Sequence, residues 1–544
     1  MDIAGIPILT AVVFLPAVAA LFLLLVPAQH TWLIRMVALA VCVLDFAIAL
    51  PLYHSFDPSR FQFQFVERVP WMADYGIYYH LGIDGLSLFL VLLTAFLGIL
   101  AVWFSFYVNE RVKEYMICLL VLQTAMLGVF CALDLVLFYV FWEATLVPMY
   151  FLIAIWGSGN KRYAAIKFFL YTFTGSIFML LAIVGLYLYS GRAEGAGTFD
   201  LVLLQKLAAE GRLVPDTAIR VWLFLAFGIA FAVKVPMFPF HTWLPDAHTE
   251  APTAGSVILA GVLLKMGAYG FLRYCLPLFP DTTISMVPLI MVLSVIAILY
   301  GAIVAAVQTD VKRLVAFSSV SHLGFVTLGL FSLNAQGMTG SMLQQVNHGI
   351  STGALFLLVG MLYERRHTRL FTEFGGLKAQ MPVYAAFFLI FMLSSVGLPS
   401  MNGFIGEFLV LIGTFQSAIQ GLYGTHLWMA VVAASGVILA AVYLLWMFQK
   451  VFLGPNKNPK NHTLSDIKWF ERIILAALVV FVFWIGLYPK TLTDKMEVSV
   501  QALRLQVTRP EGQRPLWSDP YQSVTREGEL QTGVFAQAGE VNAR

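Results

Sequence analysis

Two lysines occupy unusual surroundings, one on each side of a proline-rich turn in the apolar stretch 221–267. Lys234 ends one apolar run and is followed by Pro236 and Pro239, and Lys265 lies inside the next run. A charged side chain at the centre of a membrane costs about 2.5–3.5 kcal/mol, so a membrane segment that retains one usually has a function for it. Prolines remove helical hydrogen bonds, and freed backbone at membrane depth is tolerated where it lines a cavity. The pattern therefore predicts a site that moves ions or protons.

Two glutamates have similar surroundings. Glu143 lies near the middle of the run LDLVLFYVFWEATLVPMYFLIAIW, and Glu407 follows a break at residues 399–403. Burial disfavours the charged form of a lysine, whereas a nearby carboxylate favours it. A pair formed by Lys234 and Glu143 is therefore expected to act as a gate, because the distance between the two groups decides whether the lysine holds its proton.

Three histidines fit between these charges: His241, His322 and His348. A histidine near its unperturbed pKa can accept a proton on one side and release it on the other. His241 is expected to lead from the first lysine to the second, and the other two histidines from the second lysine to Glu407. The predicted relay has the order Glu–Lys–His–Lys–His–Glu. His248, in the polar turn TWLPDAHTEAPT, is assigned to the loop or to the start of the next helix.

Each of these residues also has a purely structural interpretation. The Glu143–Lys234 pair could be an ion pair that only fixes helix packing, and Lys265 could be held by carbonyl oxygens. Glu407 could be a protonated, hydrogen-bonded carboxyl group, and the histidines could be packing or capping residues. The broken helix beside Lys234 favours the functional interpretation.

The composition excludes several classes of protein. Hydrophobic residues make up 60% of the 544 residues, charged residues 12%, and the mean hydropathy is +0.83, as in polytopic membrane proteins. The net charge of +3, without a basic run, argues against nucleic-acid binding. No glycine-rich nucleotide motif is present, and no cysteine pair has the spacing of a metal or iron–sulfur site. The chain is therefore expected to bind no cofactor or metal; its four cysteines are Cys42, Cys118, Cys131 and Cys275.

The apolar segments predict an all-α polytopic membrane protein with about 14 transmembrane helices. The predicted spans lie near residues 6–26, 32–52, 83–108, 114–132, 134–156, 162–190, 219–240, 253–275, 282–307, 311–331, 339–363, 381–421, 425–452 and 468–488.

Three stretches are expected to lie outside the membrane, one of which is the polar stretch from Gly191 to Arg220. Phenylalanine and glutamine alternate at residues 61–65, and residues 75–79 could form a returning strand, so a small β-hairpin is predicted there. The residues from Lys490 onwards are polar and are expected to form a surface tail.

Ionisable groups and helix breaks recur in two blocks of five predicted helices, the fourth to eighth and the ninth to thirteenth. Each block has an ionisable group on its second helix and a break on its fourth, and an odd number of helices inverts the second block. We therefore predict two inverted repeats, 114–280 and 281–453. They follow an N-terminal part, 1–113, with the hairpin, and precede the last helix, 454–490, and the tail, 491–544.

Basic residues predict the orientation. About 16 lysines and arginines fall in the loops of one side and about 7, including Arg273, in those of the other. Because basic residues are retained on the cytoplasmic side, both termini are predicted to face the periplasm.

Three stretches resemble the antiporter-type membrane subunits of respiratory complex I: KVPMFPFHTWLPDAHTEAPTAGSVILAGVLLKMGAYG, DVKRLVAFSSVSHLGF and GLPSMNGFIGEF. The resemblance extends over essentially the whole chain. Glu407 stands where most relatives carry lysine, which points to the chain M branch of the family. By this resemblance, the four charged residues above match the essential ionisable positions of the family, and the three histidines match its hydrophilic axis.

The resemblance implies a proton-translocating subunit in the bacterial inner membrane, driven by redox chemistry in partner chains that hold the flavin and iron–sulfur clusters. It also implies contacts with other membrane subunits, especially the antiporter-like chains L and N, and with lipids, with quinone reached only through the complex. Two alternatives remain open. One is a subunit of a multi-subunit cation/proton antiporter, and the other is a structural spacer whose buried charges only pair.

Overall fold

Fourteen helical stretches of the described chain are long and apolar enough to cross a membrane, so the chain is a multi-pass membrane protein. The computed structural model describes residues 2–3, 6–510 and 513–514. The predicted class and the predicted number of membrane-spanning helices are confirmed. The inverted relation between residues 114–280 and 281–453 stays a prediction.

The N-terminal part contains two short strand pairs and three long helices: β1 (Asp2–Ile3), β2 (Ile6–Pro7), α1 (Ile8–Leu25), α2 (Thr31–His54), β3 (Gln64–Met72), β4 (Ile77–Ile83) and α3 (Leu88–Phe104). Ten helices follow: α4 (Val112–Cys131), α5 (Leu135–Ala144), α6 (Leu146–Trp156), α7 (Lys161–Glu194), α8 (Leu201–Ala209), α9 (Thr217–Lys234), α10 (Trp243–Glu250), α11 (Thr253–Ile258), α12 (Leu264–Gly270) and α13 (Leu276–Leu278).

The remaining helices are α14 (Pro280–Ala306), α15 (Val311–Phe331), α16 (Ala335–Arg366), α17 (Leu377–Gln380), α18 (Pro382–Val396), α19 (Asn402–Ile419), α20 (Leu427–Phe452), α21 (Trp469–Leu487) and α22 (Lys490–Thr508). Short 3₁₀ turns lie at Ala73–Tyr75, Ser105–Tyr107, Phe371–Glu373, Leu422–Gly424 and Pro459–Asn461.

Three membrane-spanning stretches form the centre of the fold. The span Thr253–Leu278 and α15 are buried along their whole apolar windows, and α16 is nearly so. Small residues allow these elements to approach closely: a Cβ atom built on Gly349 of α16 would lie 3.0 Å from the carbonyl oxygen of Gly261. Because helices that cross at glycines approach closely, the side chains on either side of the crossing point come near each other.

A hairpin is present as predicted, but its strands are Gln64–Met72 and Ile77–Ile83 rather than residues 61–65 and 75–79, and it is anchored to the helical bundle. Strands β3 and β4 pair antiparallel, with Val69 opposite Tyr79. The carbonyl oxygen of His80, on β4, accepts a hydrogen bond from the backbone N–H of Leu133 at 2.8 Å, just before α5 begins. The hairpin therefore packs against the start of the helix that carries Glu143.

Two aspartates that cap helices strengthen this anchor. Asp200 caps α8 and also lies 3.1 Å from the guanidinium of Arg68 and 3.2 Å from Nδ1 of His80, both on the hairpin. Asp134 caps α5 and accepts a further hydrogen bond from the backbone N–H of Tyr78 at 3.0 Å. Burial raises the pKa of Asp134 to about 6, although its three backbone N–H donors act in the opposite direction.

The predicted polar tail begins instead with a regular helix. α22 buries Met496, Val500, Leu503 and Val507, which recur every three or four residues and so share one face. Its other faces are polar, which made the segment resemble a surface tail. Most of residues 511–544 lie outside the described residues.

Arg273 is fully buried rather than exposed in a loop, which corrects its place among the outer basic residues. Its two terminal nitrogens donate to the two oxygens of Asp84, at 2.8 and 2.5 Å, and its Nε donates to the hydroxyl of Tyr269 at 3.1 Å. The next residue, Gly85, donates from its backbone N–H to the hydroxyl of Ser499 on α22 at 3.1 Å. The ion pair thus connects the span that carries Lys265 to α3 and α22.

Candidate functional site

Lys234 is the last residue of α9, and the chain leaves the helix immediately after it, as the prolines predict. The side chain is only 1% exposed. Its ammonium lies 3.3 Å from the hydroxyl oxygen of Thr145 and 5.2 Å from the centre of the Trp142 ring. A break in the helix, a buried ammonium and two uncharged partners therefore meet at one point.

Glu143 acts on Lys234 through its charge but does not pair with it. Among the described residues, no carboxylate forms a salt bridge with Lys234. The Glu143 carboxylate instead faces Tyr139 and Ser176 of α7, and its Oε1 is buried without a hydrogen-bond partner. The two side chains of the predicted gate, Glu143 and Lys234, therefore interact through their charges but form no ion pair in this conformation.

The helix that carries Glu143 contains a break that was not predicted. α5 ends at Ala144 and α6 begins at Leu146, with Thr145 between them. The Thr145 hydroxyl donates to the carbonyl oxygen of Trp142 at 2.8 Å, so it satisfies an acceptor at the break. Pro148, four residues after Ala144, has no N–H to donate to the Ala144 carbonyl oxygen, so this proline accounts for the break and was the signal for it in the sequence.

Lys265 lies between two π-helical segments, Leu259–Leu263 and Phe271–Cys275, whereas the sequence predicted an uninterrupted helix. The ammonium is fully buried, donates to the carbonyl oxygen of Ala260, and lies 2.7 Å from Nδ1 of His348. Each π turn carries one residue more than an α turn and frees carbonyl groups, and such turns are frequent at functional sites. The irregular helix thus supplies one partner of Lys265, and α16 supplies the other.

From Lys265 the predicted order continues to Glu407. The rings of His348 and His322 are 5.9 Å apart between centres, and Nδ1 of His322 lies 2.7 Å from Oε1 of Glu407. Gln344 donates to the same carboxylate oxygen at 2.9 Å. A polar cavity of about 10 Å³, close to the space that one water molecule needs, lies among these side chains. Four of the predicted residues therefore form one continuous polar line.

The two histidines that follow α9, His241 and His248, have surroundings that differ from those predicted. The ring of His241 packs against Phe238 and Tyr300, at 5.7 and 4.9 Å between centres, and in the described part of the chain the charge acting on it is that of Lys167. Among the described residues, His241 forms no hydrogen bond with either lysine of the predicted relay, and its place in that relay stays a prediction.

His248, assigned above to the loop or to the start of the next helix, is fully buried on α10 and stacks on Phe356 at 4.5 Å. It interacts electrostatically with Lys265 and with His348, and neither of its ring nitrogens has a hydrogen-bond partner among the described residues. The polar sequence of α10 suggested a loop or the start of a helix, but the segment packs between α7 and α15.

Comparison with known protein families agrees with the positions of these buried ionisable residues. The family described as "NADH:quinone oxidoreductase/Mrp antiporter, TM" matches residues 132–440, which hold every charged and histidine residue of the line. The fold and the buried ionisable groups thus define an antiporter-type membrane subunit.

Comparison with individual relatives identifies the family within this class of membrane subunits. NADH-quinone oxidoreductase subunit M of Rhodobacter capsulatus is 46% identical over 91% of this chain and 96% of its own length, and NADH-ubiquinone oxidoreductase chain 4 of Arabidopsis thaliana is 44% identical over the same shares. A chain of respiratory complex I from Thermus thermophilus with bound NADH superposes with a TM-score of 0.81 at 31% identity, over 92% of this chain and all of that one. The chain belongs to the subunit M, or chain 4, family of NADH-quinone oxidoreductase.

Proposed function

We propose that the chain is the proton-translocating subunit of this family in a respiratory NADH-quinone oxidoreductase. The observation that carries the proposal is the series of buried groups from Lys265 through His348 and His322 to Glu407, with hydrogen-bond distances at both ends and 5.9 Å between the centres of the two imidazole rings. Each of these groups can hold or pass a proton, and all are buried in the centre of a membrane fold.

Lys234 and Glu143 would serve as the gate that supplies this line. Because a carboxylate stabilises an ammonium, pairing keeps the proton on Lys234, and separation favours its release. The conformation described here corresponds to the separated arrangement. His248 would connect to Lys265 in the place first assigned to His241.

The energy for transport would come from redox chemistry in partner chains, which would carry the flavin and iron–sulfur clusters. The relatives named above are subunits of an NADH-quinone oxidoreductase, and the Thermus relative is part of a multi-subunit respiratory complex. We infer that this chain contacts other antiporter-like membrane subunits, chains L and N among them, in the inner membrane with both termini outside. The 46% identity to a subunit M favours this function over an independent cation/proton antiporter.

Glu407→Gln tests the proposal. Glutamine keeps the shape of the side chain but cannot take up a proton, so NADH-driven proton pumping is expected to fall by about tenfold or more. Pumping and NADH:quinone electron transfer would be measured in membranes in which native gels show an assembled complex. Glu497→Gln, at an exposed position on α22, is the control and should leave both activities unchanged. Wild-type pumping in assembled Glu407→Gln would refute the proposal.

His241 and His248, which follow the end of α9, give a second, comparative prediction. His248→Phe should lower pumping to about a tenth of the wild-type rate, because it removes a titratable group beside Lys265. His241→Phe should have a much smaller effect, because its ring packs against Phe238 and Tyr300. The measurement is the same pumping assay on the two variants in parallel. An equal loss in both, or a greater loss in His241→Phe, would contradict the assignment of His248.

A further inference from the structure

The ammonium of Lys234 is held by two uncharged groups from the broken helix next to it. The Thr145 hydroxyl already donates its own proton to the carbonyl oxygen of Trp142, so its lone pairs are free to accept from the lysine at 3.3 Å. The Trp142 ring centre, at 5.2 Å, is within the range of a cation–π interaction, and the Phe168 ring lies slightly farther away, at 6.0 Å. Both main partners stabilise a cation without neutralising it.

Helix geometry separates these partners from the carboxylate. Residues 142 and 145 are three positions apart and therefore share one side of the helix end, whereas residue 143 is rotated from residue 142 by about 100°. Glu143 accordingly faces Tyr139 and Ser176, while Trp142 and Thr145 face Lys234. One helical turn thus carries the charged group, Glu143, and the uncharged groups, Trp142 and Thr145, on different sides of the helix.

We propose that Thr145 and Trp142 form a second docking position for the Lys234 ammonium, which it occupies whenever it is not paired with Glu143. The gate then has two defined states, because the lysine moves between two partners that lie within one helical turn of each other. Thr145 and Trp142 are positioning residues in this scheme. The inference rests on the proposed function, because it assumes that the Glu143–Lys234 pair opens and closes during proton transfer.

The surroundings contain few other charges. Among the described residues, Glu143 is the charged group that acts electrostatically on Lys234. Helix α7 presents Phe168, and Trp243 of α10 packs on Phe168 and donates to the carbonyl oxygen of Val233. The balance between the two docking positions therefore depends mainly on one carboxylate, one hydroxyl and one ring.

Four variants test the docking position in the assembled complex. Thr145→Val keeps the shape but removes the hydroxyl, and Trp142→Leu removes the ring. Each is expected to reduce pumping about tenfold and to move the alkaline limit of the pumping pH profile to lower pH by about one unit, because the unpaired ammonium loses a stabilising partner. Thr145→Ser and Trp142→Phe, which restore the hydroxyl and a ring, should recover most of the pumping.

Thr94→Val is the matched control. Thr94 is also a buried threonine whose hydroxyl donates to a carbonyl oxygen of its own helix, that of Leu90, and its replacement should leave the rate and the pH profile unchanged. If Thr145→Val reduces pumping but Trp142→Leu leaves rate and profile at wild type, the hydroxyl only caps the helix break and the docking position is refuted. If both variants behave as wild type while Glu407→Gln blocks pumping, the docking position fails and the proposed function stands. If none of them affects pumping, both fail.

Discussion

Lys265→Met is expected to reduce NADH-driven proton pumping by about a hundredfold in a complex that still assembles. Methionine preserves most of the aliphatic volume of lysine, so the tightly packed span Thr253–Leu278 should tolerate the exchange. What is lost is the ammonium that lies 2.7 Å from His348 and begins the line towards Glu407. No other described ionisable side chain makes a hydrogen bond to His348 Nδ1, so protons would have no equivalent route onto the line.

The measurement is the ratio of protons pumped to NADH oxidised, together with a native gel. Lys378→Met, at an exposed position outside the membrane spans, is the control for loss of a positive charge and should behave as wild type. The result also separates two interpretations of the buried charges. If Lys265→Met pumps normally once assembled, the lysine is a packing residue and the structural-spacer interpretation gains support.

Arg273→Met is expected to prevent stable assembly rather than to block transport selectively. It leaves the Asp84 carboxylate buried, with no exposed surface and without its bidentate partner. Removing one member of a buried ion pair costs about 3–5 kcal/mol, which is a large part of the stability of a typical domain. The amount of assembled complex on native gels and its thermal stability should both fall sharply.

Two further variants show whether the cost arises from the unpaired charge. Arg220→Met breaks a partly exposed ion pair with Asp281, and it should change stability by about 1 kcal/mol or less. The double variant Asp84→Leu/Arg273→Met removes both charges together and should recover much of the assembly. If the double variant were as unstable as Arg273→Met, the loss would come from packing of the guanidinium against Phe63 and Tyr269 instead.

Charge within apolar runs was the most informative sequence signal. Lys234, Lys265 and Glu407 were predicted from their types and surroundings, since few other reasons place such groups in membrane segments, and all three are buried in the structure. The pairing of His322 with Glu407 was expected only as a direction along the chain, and the 2.7 Å contact required the packing of α15 against α19. The sequence indicated which residues belong to the polar line, whereas the distances between them depend on how the helices pack.

The missed features share one physical cause, namely that local patterns do not report what a segment packs against. His248 belongs to a polar helix that is buried against its neighbours. α22 is amphipathic, and its many polar residues led to the prediction of a surface tail. The residues that flank the two π segments keep ordinary α-helical dihedral angles, so no residue type signals the change.

The two π turns have a geometric consequence for Lys265. A π turn holds one residue more than an α turn, so it shifts the angular position of the residues that follow it by about 100° around the helix axis. One such shift lies before Lys265, at Leu259–Leu263, and another after it, at Phe271–Cys275. The direction in which the short segment α12 presents the Lys265 ammonium, towards His348, is therefore set separately from the two ends of the span.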